Sequence, residues 1–183
     1  MKQIIEKARE WALDEIEKNN SPSIEHFNLS NDKGQELAGL LNADKDIVML
    51  GTILMDIKLG ACIKEGRVKE HVSESVTATK EFLEQFVLGK EIKDKIINCV
   101  AGHHGTISYI CKEAEICANA DCYRFISPIG VFHFFGILAN RFEKTSDRVK
   151  QVQIKMDEKW KIISLDICEK ELEGYYKAFK SLF

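Results

Sequence analysis

The sequence predicts an all-α protein made of one domain. Apolar residues recur at helical spacing along almost all of the 183 residues, and only two prolines interrupt them. No alternation typical of a β-strand persists for more than a few residues. An apolar fraction of 45% with 30% charged residues is typical of a globular chain that buries a continuous core. We expect one domain over residues 1–183, with its core at about 20–142 and a helical extension at about 146–183.

Roughly seven to nine helices are expected, each marked by its apolar spacing and by the polar or glycine-containing piece that ends it. They are Lys2–Lys18, a segment from Pro22 to Leu41, Lys45–Leu59, Lys69–Phe86, Glu91–Ala101, Lys112–Phe125, Val131–Phe142 and one or two helices over Ser146–Phe183. The second of these contains a polar piece, Asn28–Lys33, at which an interruption is expected. In the last segment, a break is expected near Ser164-Leu165-Asp166.

Two of the expected helices are unusually apolar. The third begins after Asp44, an expected N-cap, ends at Gly60, and is apolar nearly all round, which predicts the central, buried helix. The seventh, Val131–Phe142, carries three phenylalanines within its first five residues. Its pattern fits packing against a second copy of the chain in a homodimer, and equally fits burial under the C-terminal helices.

Charge and cysteine content restrict the class of protein. A formal net charge of −3 gives no general attraction to nucleic acid or to an anionic membrane, so neither partner is expected. The segment Met1–Asn20 has helical spacing without the uninterrupted apolar run of a signal peptide, and a cytoplasmic protein is expected. The six cysteines lack paired CxxC spacing and are expected to be reduced. A zinc site formed by His103 with nearby cysteines matches no common zinc pattern.

Side chains of the types that bind metal ions come from several different predicted helices. They are His26, Asp56, His71, His103, His104 and Asp121. Facing helices of a bundle can bring such side chains to one point in the core. Asp56 is the most informative of them, because an aspartate at the end of an apolar helix is costly to bury unless it is paired or metal-bound. Mixed nitrogen and oxygen ligands suit Mn²⁺, Fe²⁺, Ni²⁺, Zn²⁺ or Mg²⁺.

The order and spacing of these residues resemble the HD superfamily of metal-dependent phosphohydrolases. The resemblance covers roughly residues 24–141 and rests on five pieces: His26, Leu54-Met55-Asp56-Ile57, His71, Gly102-His103-His104-Gly105 and Ala118-Asn119-Ala120-Asp121. It implies an HD-domain-like helical bundle. It also implies that His26 is the first metal ligand, Asp56 the motif aspartate and Asp121 the closing ligand. The extra histidines of members that bind a second metal or contact substrate phosphate would match His71, His103 and His104.

The resemblance implies an activity as well. A water activated by the metal would hydrolyse a phosphate ester, a nucleotide or a phosphodiester, with Asp56 holding that water or bridging two ions. Lys58 is expected to act beside Asp56, and Arg124 is expected to bind the substrate, because cationic side chains balance phosphate charge.

Three residues depart from the family pattern. Met55 stands where the family has its motif histidine, Lys58 where glycine is expected and Leu59 where lysine is expected. A thioether is a poor ligand for hard divalent ions, so a single-metal site should be weakened. A second hypothesis is therefore a degenerate HD domain that binds metal or nucleotide as a sensor or scaffold. A helical interaction domain without a site is a third.

Plainer roles for the same residues also fit the sequence. His26 and His71 fit ordinary structural positions. Asp56 fits a helix cap or an ion pair with Lys58, and Asp121 fits a cap or an ion pair with Arg124. Met55 fits core packing, and the alternating charge of Arg148–Lys161 is expected to form a solvated helix face.

Overall fold

The computed structural model describes residues 1–182 and is all-helical over that range, which confirms the predicted fold class. It has nine α-helices of ten or more residues, one short α-helix and one 3-10 turn, Val68–Glu70. The α-helices are α1 (Lys2–Asn19), α2 (Ile24–Leu40), α3 (Lys45–Leu54), α4 (Leu59–Lys64), α5 (His71–Glu84), α6 (Lys90–Gly102), α7 (Lys112–Ile126), α8 (Pro128–Leu138), α9 (Thr145–Trp160) and α10 (Asp166–Leu182). Phe183, the last residue of the predicted tail, lies outside the described residues.

Helix α2 is continuous, so the interruption expected at Asn28–Lys33 does not occur. Its polar residues face neighbouring elements rather than opening the helix. The Ser30 hydroxyl donates to backbone carbonyls one turn earlier, at 3.1 Å. Gly34 lets α3 approach closely, because a Cβ there would lie 3.0 Å from Cγ2 of Thr52. Polar composition alone therefore did not identify a break.

Helix α3 is shorter than predicted and ends at Leu54 instead of Leu59. The Asp44 carboxylate caps its start by accepting from two backbone N–H groups, as the sequence predicts. After Leu54 the chain changes to i→i+3 hydrogen bonds, and Leu59 N donates to Asp56 O at 2.9 Å. Asp56 therefore lies in a tight turn between α3 and α4, directly after the buried helix.

The core is built around α3 and α7. Every residue from Ile116 to Ile126 is buried, so α7 is enclosed by α2, α3, α6, α8 and α9. The same apolar cluster includes Ala8 of α1 and Leu172 of α10, so the core extends beyond the predicted range 20–142. A buried helix that carries charged residues, as α7 carries Asp121 and Arg124, must supply their partners internally.

A smaller apolar cluster joins α8, α9 and α10. It contains Val131 and Leu138 of α8, Val152 and Met156 of α9, and Phe179 of α10. One face of α8 is thus covered by the C-terminal helices, while Phe132 remains 69% exposed. A homodimer through α8 stays a prediction. The two tail helices are separated at 161–165, close to the expected break. No helix within residues 1–182 combines the length and apolar character needed to cross a membrane.

Candidate metal centre and cleft

Three histidines from the ends of two helices meet at one point. His71 is the first residue of α5, and His103 and His104 directly follow the last turn of α6. One ring nitrogen from each histidine lies within 4.8 Å of those from the other two, and Nε2 of His71 is 3.2 Å from Nε2 of His104. The structure therefore brings together the three histidines that the resemblance assigned to a second metal or to substrate phosphate.

Backbone carbonyls fix the tautomers of two of these histidines. Nδ1 of His71 donates to the Val68 carbonyl at 2.6 Å, and Nδ1 of His103 donates to the Val100 carbonyl at 2.7 Å. A carbonyl oxygen only accepts, so each Nδ1 must carry the proton and each Nε2 presents a lone pair. This arrangement is the one that orients metal-binding histidines, since the second ring nitrogen is held by an oxygen.

His104 is oriented by a carboxylate instead of a carbonyl. Its Nδ1 faces Oε1 of Glu158 at 3.7 Å. His104 holds the pKa of Glu158 down to about 2, so this carboxylate is ionised and favours the proton on Nδ1. Burial lowers the pKa of His104 to about 4 and lowers that of His71. Both rings are therefore neutral near pH 7, which is the form that binds metal ions.

Asp56 lies next to the three imidazoles. Its Oδ1 is 3.5 Å from Nε2 of His103 and 3.6 Å from Nε2 of His71. Nε2 of His103 is buried and has no hydrogen-bond partner among the described residues. Nε2 of His71 and Nε2 of His104 lie 3.2 Å apart, close enough for both to bind one ion when each presents a lone pair. Three nitrogens and one oxygen in this arrangement fit a transition-metal ion.

Buried cations engage the other side of Asp56. Nη1 of Arg124 donates to Oδ2 of Asp56 at 2.5 Å and to Oδ1 of Asp121 at 2.8 Å. The Lys159 ammonium donates to the second oxygen of Asp121. Burial alone would raise the pKa of both carboxyl groups, but Arg124 at Asp56, and Lys159 with Arg124 at Asp121, hold both well below the usual range. All four groups are therefore charged in the core.

Lys159 is a site residue that the sequence did not reveal. The alternating charge of 148–161 indicated a solvated helix face, yet Lys159 is only 1% exposed, so that interpretation was wrong at this residue. The spacing of apolar residues in the sequence could have indicated that Lys159 faces inward. Lys159 lies seven residues after Val152 and three after Met156, both buried, and these spacings place it on the inward face of α9.

Arg124 is among the residues that line the cleft, and its expected role in substrate binding stays a prediction. It is 4% exposed, and its Nη1 is committed to two carboxylates, so the ion pair with Asp121 that the sequence allowed is the arrangement observed. The pair is available because Asp121 and Arg124 lie three residues apart on α7 and share one face.

Lys58 points away from the three histidines. Its Nζ forms an ion pair with Oε1 of Glu15 at 3.4 Å and lies 5.3 Å from the ring centre of Trp11. Both partners are on α1. The turn that follows α3 causes this, because the chain reverses direction between Asp56 and Leu59. The structure therefore places Lys58 outside the candidate site, and the suggested Asp56–Lys58 pair does not form.

His26 lines the same cleft but lies apart from the three clustered histidines. Its Nε2 donates to the Gly130 carbonyl at 3.3 Å, and its ring packs against Phe125 and Phe134. Burial, followed by the charge of Arg124, lowers the pKa of His26 to about 3. His26 therefore has the contacts of a structural histidine here, which the sequence also allowed.

The depressed pKa of His26 leads to a pH prediction. Between pH 6.5 and about 3 an unfolded chain protonates His26 while the folded chain does not, so the free energy of unfolding should fall as pH falls. We expect His26→Gln to reduce this slope by up to about 1.4 kcal/mol per pH unit. Urea denaturation of both chains in chelator, from pH 7 to pH 4.5, measures it. An unchanged slope would contradict the assigned pKa.

One cleft with a volume of about 220 Å³ is lined by His71, His104, Asp56, Asp121, Arg124 and Lys159, whereas His103 is fully buried. Its walls are largely apolar and include Phe125, Phe134 and Ile137. Arg141 and Lys155 supply positive charge among the lining residues. Met55 lines a separate small cavity beside Asp56 and Arg124 and is 1% exposed, consistent with its expected role as core filler.

Solved structures identify the fold as that of HD superfamily proteins. A predicted HD superfamily hydrolase from an uncultured Thermotogales bacterium superposes with a TM-score of 0.67 at 14% identity, covering 100% of this chain and 88% of that chain. Bacillus subtilis YpgQ superposes with a TM-score of 0.68 at 17% identity over 98% of this chain and 94% of YpgQ. The structure of Bacillus subtilis YpgQ in complex with ADP superposes with a TM-score of 0.67, also at 17% identity. The superposition covers 96% of this chain and 88% of that chain.

The expected HD-domain-like bundle is thus confirmed, and with it the resemblance that the sequence motifs indicated. No protein-family model and no curated protein sequence matches the chain. The agreement therefore comes from the path of the backbone at low identity, and the activity must be argued from the side chains of the site.

Proposed function

We propose that the chain is a metal-dependent phosphohydrolase whose ion is held by His71, His103, His104 and Asp56. One observation carries the proposal: one ring nitrogen of each histidine lies within 4.8 Å of the others, and Nε2 of His71 and of His103 lie 3.6 and 3.5 Å from Oδ1 of Asp56. Three nitrogens with one oxygen favour Mn²⁺, Fe²⁺, Ni²⁺ or Zn²⁺ over Mg²⁺. An ion held by these residues would supply a Lewis acid for hydrolysis of a phosphate ester.

The charges around this site favour an anionic substrate. Arg124 and Lys159 already balance the carboxylates of Asp56 and Asp121. A divalent ion would therefore add positive charge that no other group of this cluster neutralises. A phosphate group entering the cleft would supply the missing negative charge, and exclusion of water by the apolar walls would strengthen that attraction.

A nucleotide is the substrate class that the cleft fits best. Phe125, Phe134 and Ile137 form an apolar wall on which a base can pack. Arg141 lines the same cleft, and its side chain makes no hydrogen bond or ion pair within residues 1–182, so its guanidinium is available for a second phosphate group. YpgQ, which shares the fold, has been solved in complex with ADP.

Removing the charge of Arg141 should weaken substrate binding and leave the chemical step intact. We expect Arg141→Gln to raise KM for a nucleoside diphosphate by about 3–10-fold with kcat nearly unchanged, because an exposed cation contributes equally to ground state and transition state. Steady-state phosphate release measures both constants. Arg9→Gln on α1 is the matched control, since Arg9 is absent from the cleft. A fall in kcat with unchanged KM would contradict this assignment.

The activity itself is tested by phosphate release. The chain, loaded with Mn²⁺, is expected to hydrolyse at least one member of a panel of nucleoside mono-, di- and triphosphates, and excess chelator is expected to stop it. Asp56→Asn keeps the shape but removes the charge, and should lower the rate by at least about 100-fold, because even residues that only orient ligands are worth 10–100-fold. Asp94→Asn, an exposed aspartate paired with Lys90, is the control.

A non-catalytic domain that binds metal or nucleotide is the second candidate. It is favoured by Met55 and by the commitment of Arg124 to Asp56 and Asp121. Titration calorimetry with ADP separates it from the enzyme. Two results together would support the non-catalytic domain and refute the phosphohydrolase. They are heat of ADP binding to metal-loaded protein and no phosphate release from any member of the panel.

A further inference from the structure

We propose that Arg124 and Lys159 permanently replace a second metal ion at the Asp56–Asp121 carboxylate pair. The site therefore takes one ion, on the histidine side of Asp56, and Asp121 is not a ligand. The ion count rests on the proposed function, whereas the replacement by Arg124 and Lys159 does not.

The four carboxylate oxygens are divided between two kinds of partner. Nη1 of Arg124 donates hydrogen bonds to Oδ2 of Asp56 at 2.5 Å and to Oδ1 of Asp121 at 2.8 Å. The Lys159 ammonium donates to Oδ2 of Asp121. Only Oδ1 of Asp56 is turned toward the imidazoles. Nη1 of Arg124 lies between the two carboxylates, at the position that a bridging metal ion would occupy. Arg124 and a metal ion therefore cannot both bind there.

Charge balance leads to the same conclusion. Asp56, Asp121, Arg124 and Lys159 are each no more than 7% exposed, and their charges cancel in pairs. A divalent ion added between the carboxylates would carry two uncompensated charges in a region shielded from water, which is strongly unfavourable. The histidine side offers three neutral nitrogens and Oδ1 of Asp56, so an ion can be ligated there without displacing a side chain.

The neighbouring side chains offer no ligands on the carboxylate side. Met55 lines a small cavity with Asp56 and Arg124, and its thioether is a poor donor to hard ions. Nε2 of His26 is engaged by the Gly130 carbonyl. A second ion between Asp56 and Asp121 would therefore have to displace Arg124 and would gain little nitrogen ligation in return.

Metal stoichiometry tests the proposal. Each chain is incubated with excess Mn²⁺, desalted and measured by elemental analysis. Wild type is expected to retain one ion per chain, and Arg124→Ala is expected to retain one more than wild type, because two carboxylate oxygens are released. The double variant Met55→His/Arg124→Ala is expected to hold that extra ion more tightly, whereas Met55→His alone, with Arg124 in place, is expected to show no gain.

Each alternative outcome is decisive. Two ions in wild type, two in Met55→His, or no gain in a folded Arg124→Ala would overturn the proposal. If Arg124→Ala does not fold, the wild-type and Met55→His counts still decide it. Arg67→Ala is the matched control, since it releases three exposed glutamates and should gain nothing. No ion in wild type but one in Arg124→Ala would refute the proposed function and support this inference.

Discussion

Replacing His103 by alanine is expected to reduce the metal content from about one ion per chain to less than about one in ten after desalting. Nε2 of His103 is buried, has no hydrogen-bond partner among the described residues and lies 3.5 Å from Oδ1 of Asp56. Loss of a ligand should cost at least the 10–100-fold in affinity that is typical when only a residue supporting a ligand is changed. Phosphate release should fall in parallel with the metal content.

Elemental analysis after loading with Mn²⁺ or Zn²⁺ measures this loss. His133→Ala is the matched control, because His133 contacts the Ser23 hydroxyl at 2.7 Å and is not one of the three clustered histidines. Circular dichroism shows whether both variants keep their helical content. Full metal content in a folded His103→Ala chain would rule out the proposed ligand set, and equal loss in both variants would show that the histidines act only through folding.

Replacing Lys159 by methionine is expected to destabilise the fold by about 3–5 kcal/mol. Methionine keeps most of the volume of the side chain, so the effect isolates the charge. Without Lys159, Asp121 keeps Arg124, but this guanidinium is shared with Asp56, and one buried oxygen of Asp121 loses its partner. Breaking a buried ion pair from one side is costly because the remaining charge stays out of water.

Urea denaturation in chelator measures the free energy of unfolding of Lys159→Met without a contribution from metal. Lys177→Met is the matched control, because Lys177 forms an exposed pair with Glu173 one helical turn away and should contribute less than about 0.5 kcal/mol. Similar values for the two lysine variants would mean that burial of Lys159 has no energetic consequence, and the charge-balance argument would then fail.

The sequence predicted the helical class and the region of most helices, because apolar spacing records which face of each helix is buried. It was less reliable where polar residues face inward. Asn28–Lys33 remains helical, Ser30 and Asn31 are buried, and the Ser30 hydroxyl donates to the His26 carbonyl of the same helix. Lys159 was assigned to solvent because a charged residue was taken as exposed, although its spacing from Met156 placed it inside.

The candidate site was predictable as a list of residues but not as a geometry. Local sequence cannot show that the Val68 and Val100 carbonyls fix two imidazole tautomers, because those bonds depend on how the adjoining turns are folded. It also could not decide whether Arg124 serves a substrate or two carboxylates, since Asp56 is 68 residues away in the chain. Contacts of that range depend on packing between helices.

The proposed ligands come from three separate stretches of chain, at Asp56 after α3, His71 at the start of α5 and His103-His104 after α6. A bound ion would thus cross-link three helix ends in the folded chain only, because the unfolded chain has no preformed site for it. Metal affinity and folding free energy would then be linked quantities. In metal-free protein these helix ends should open more often than the buried centre of α7 and exchange their amide hydrogens first.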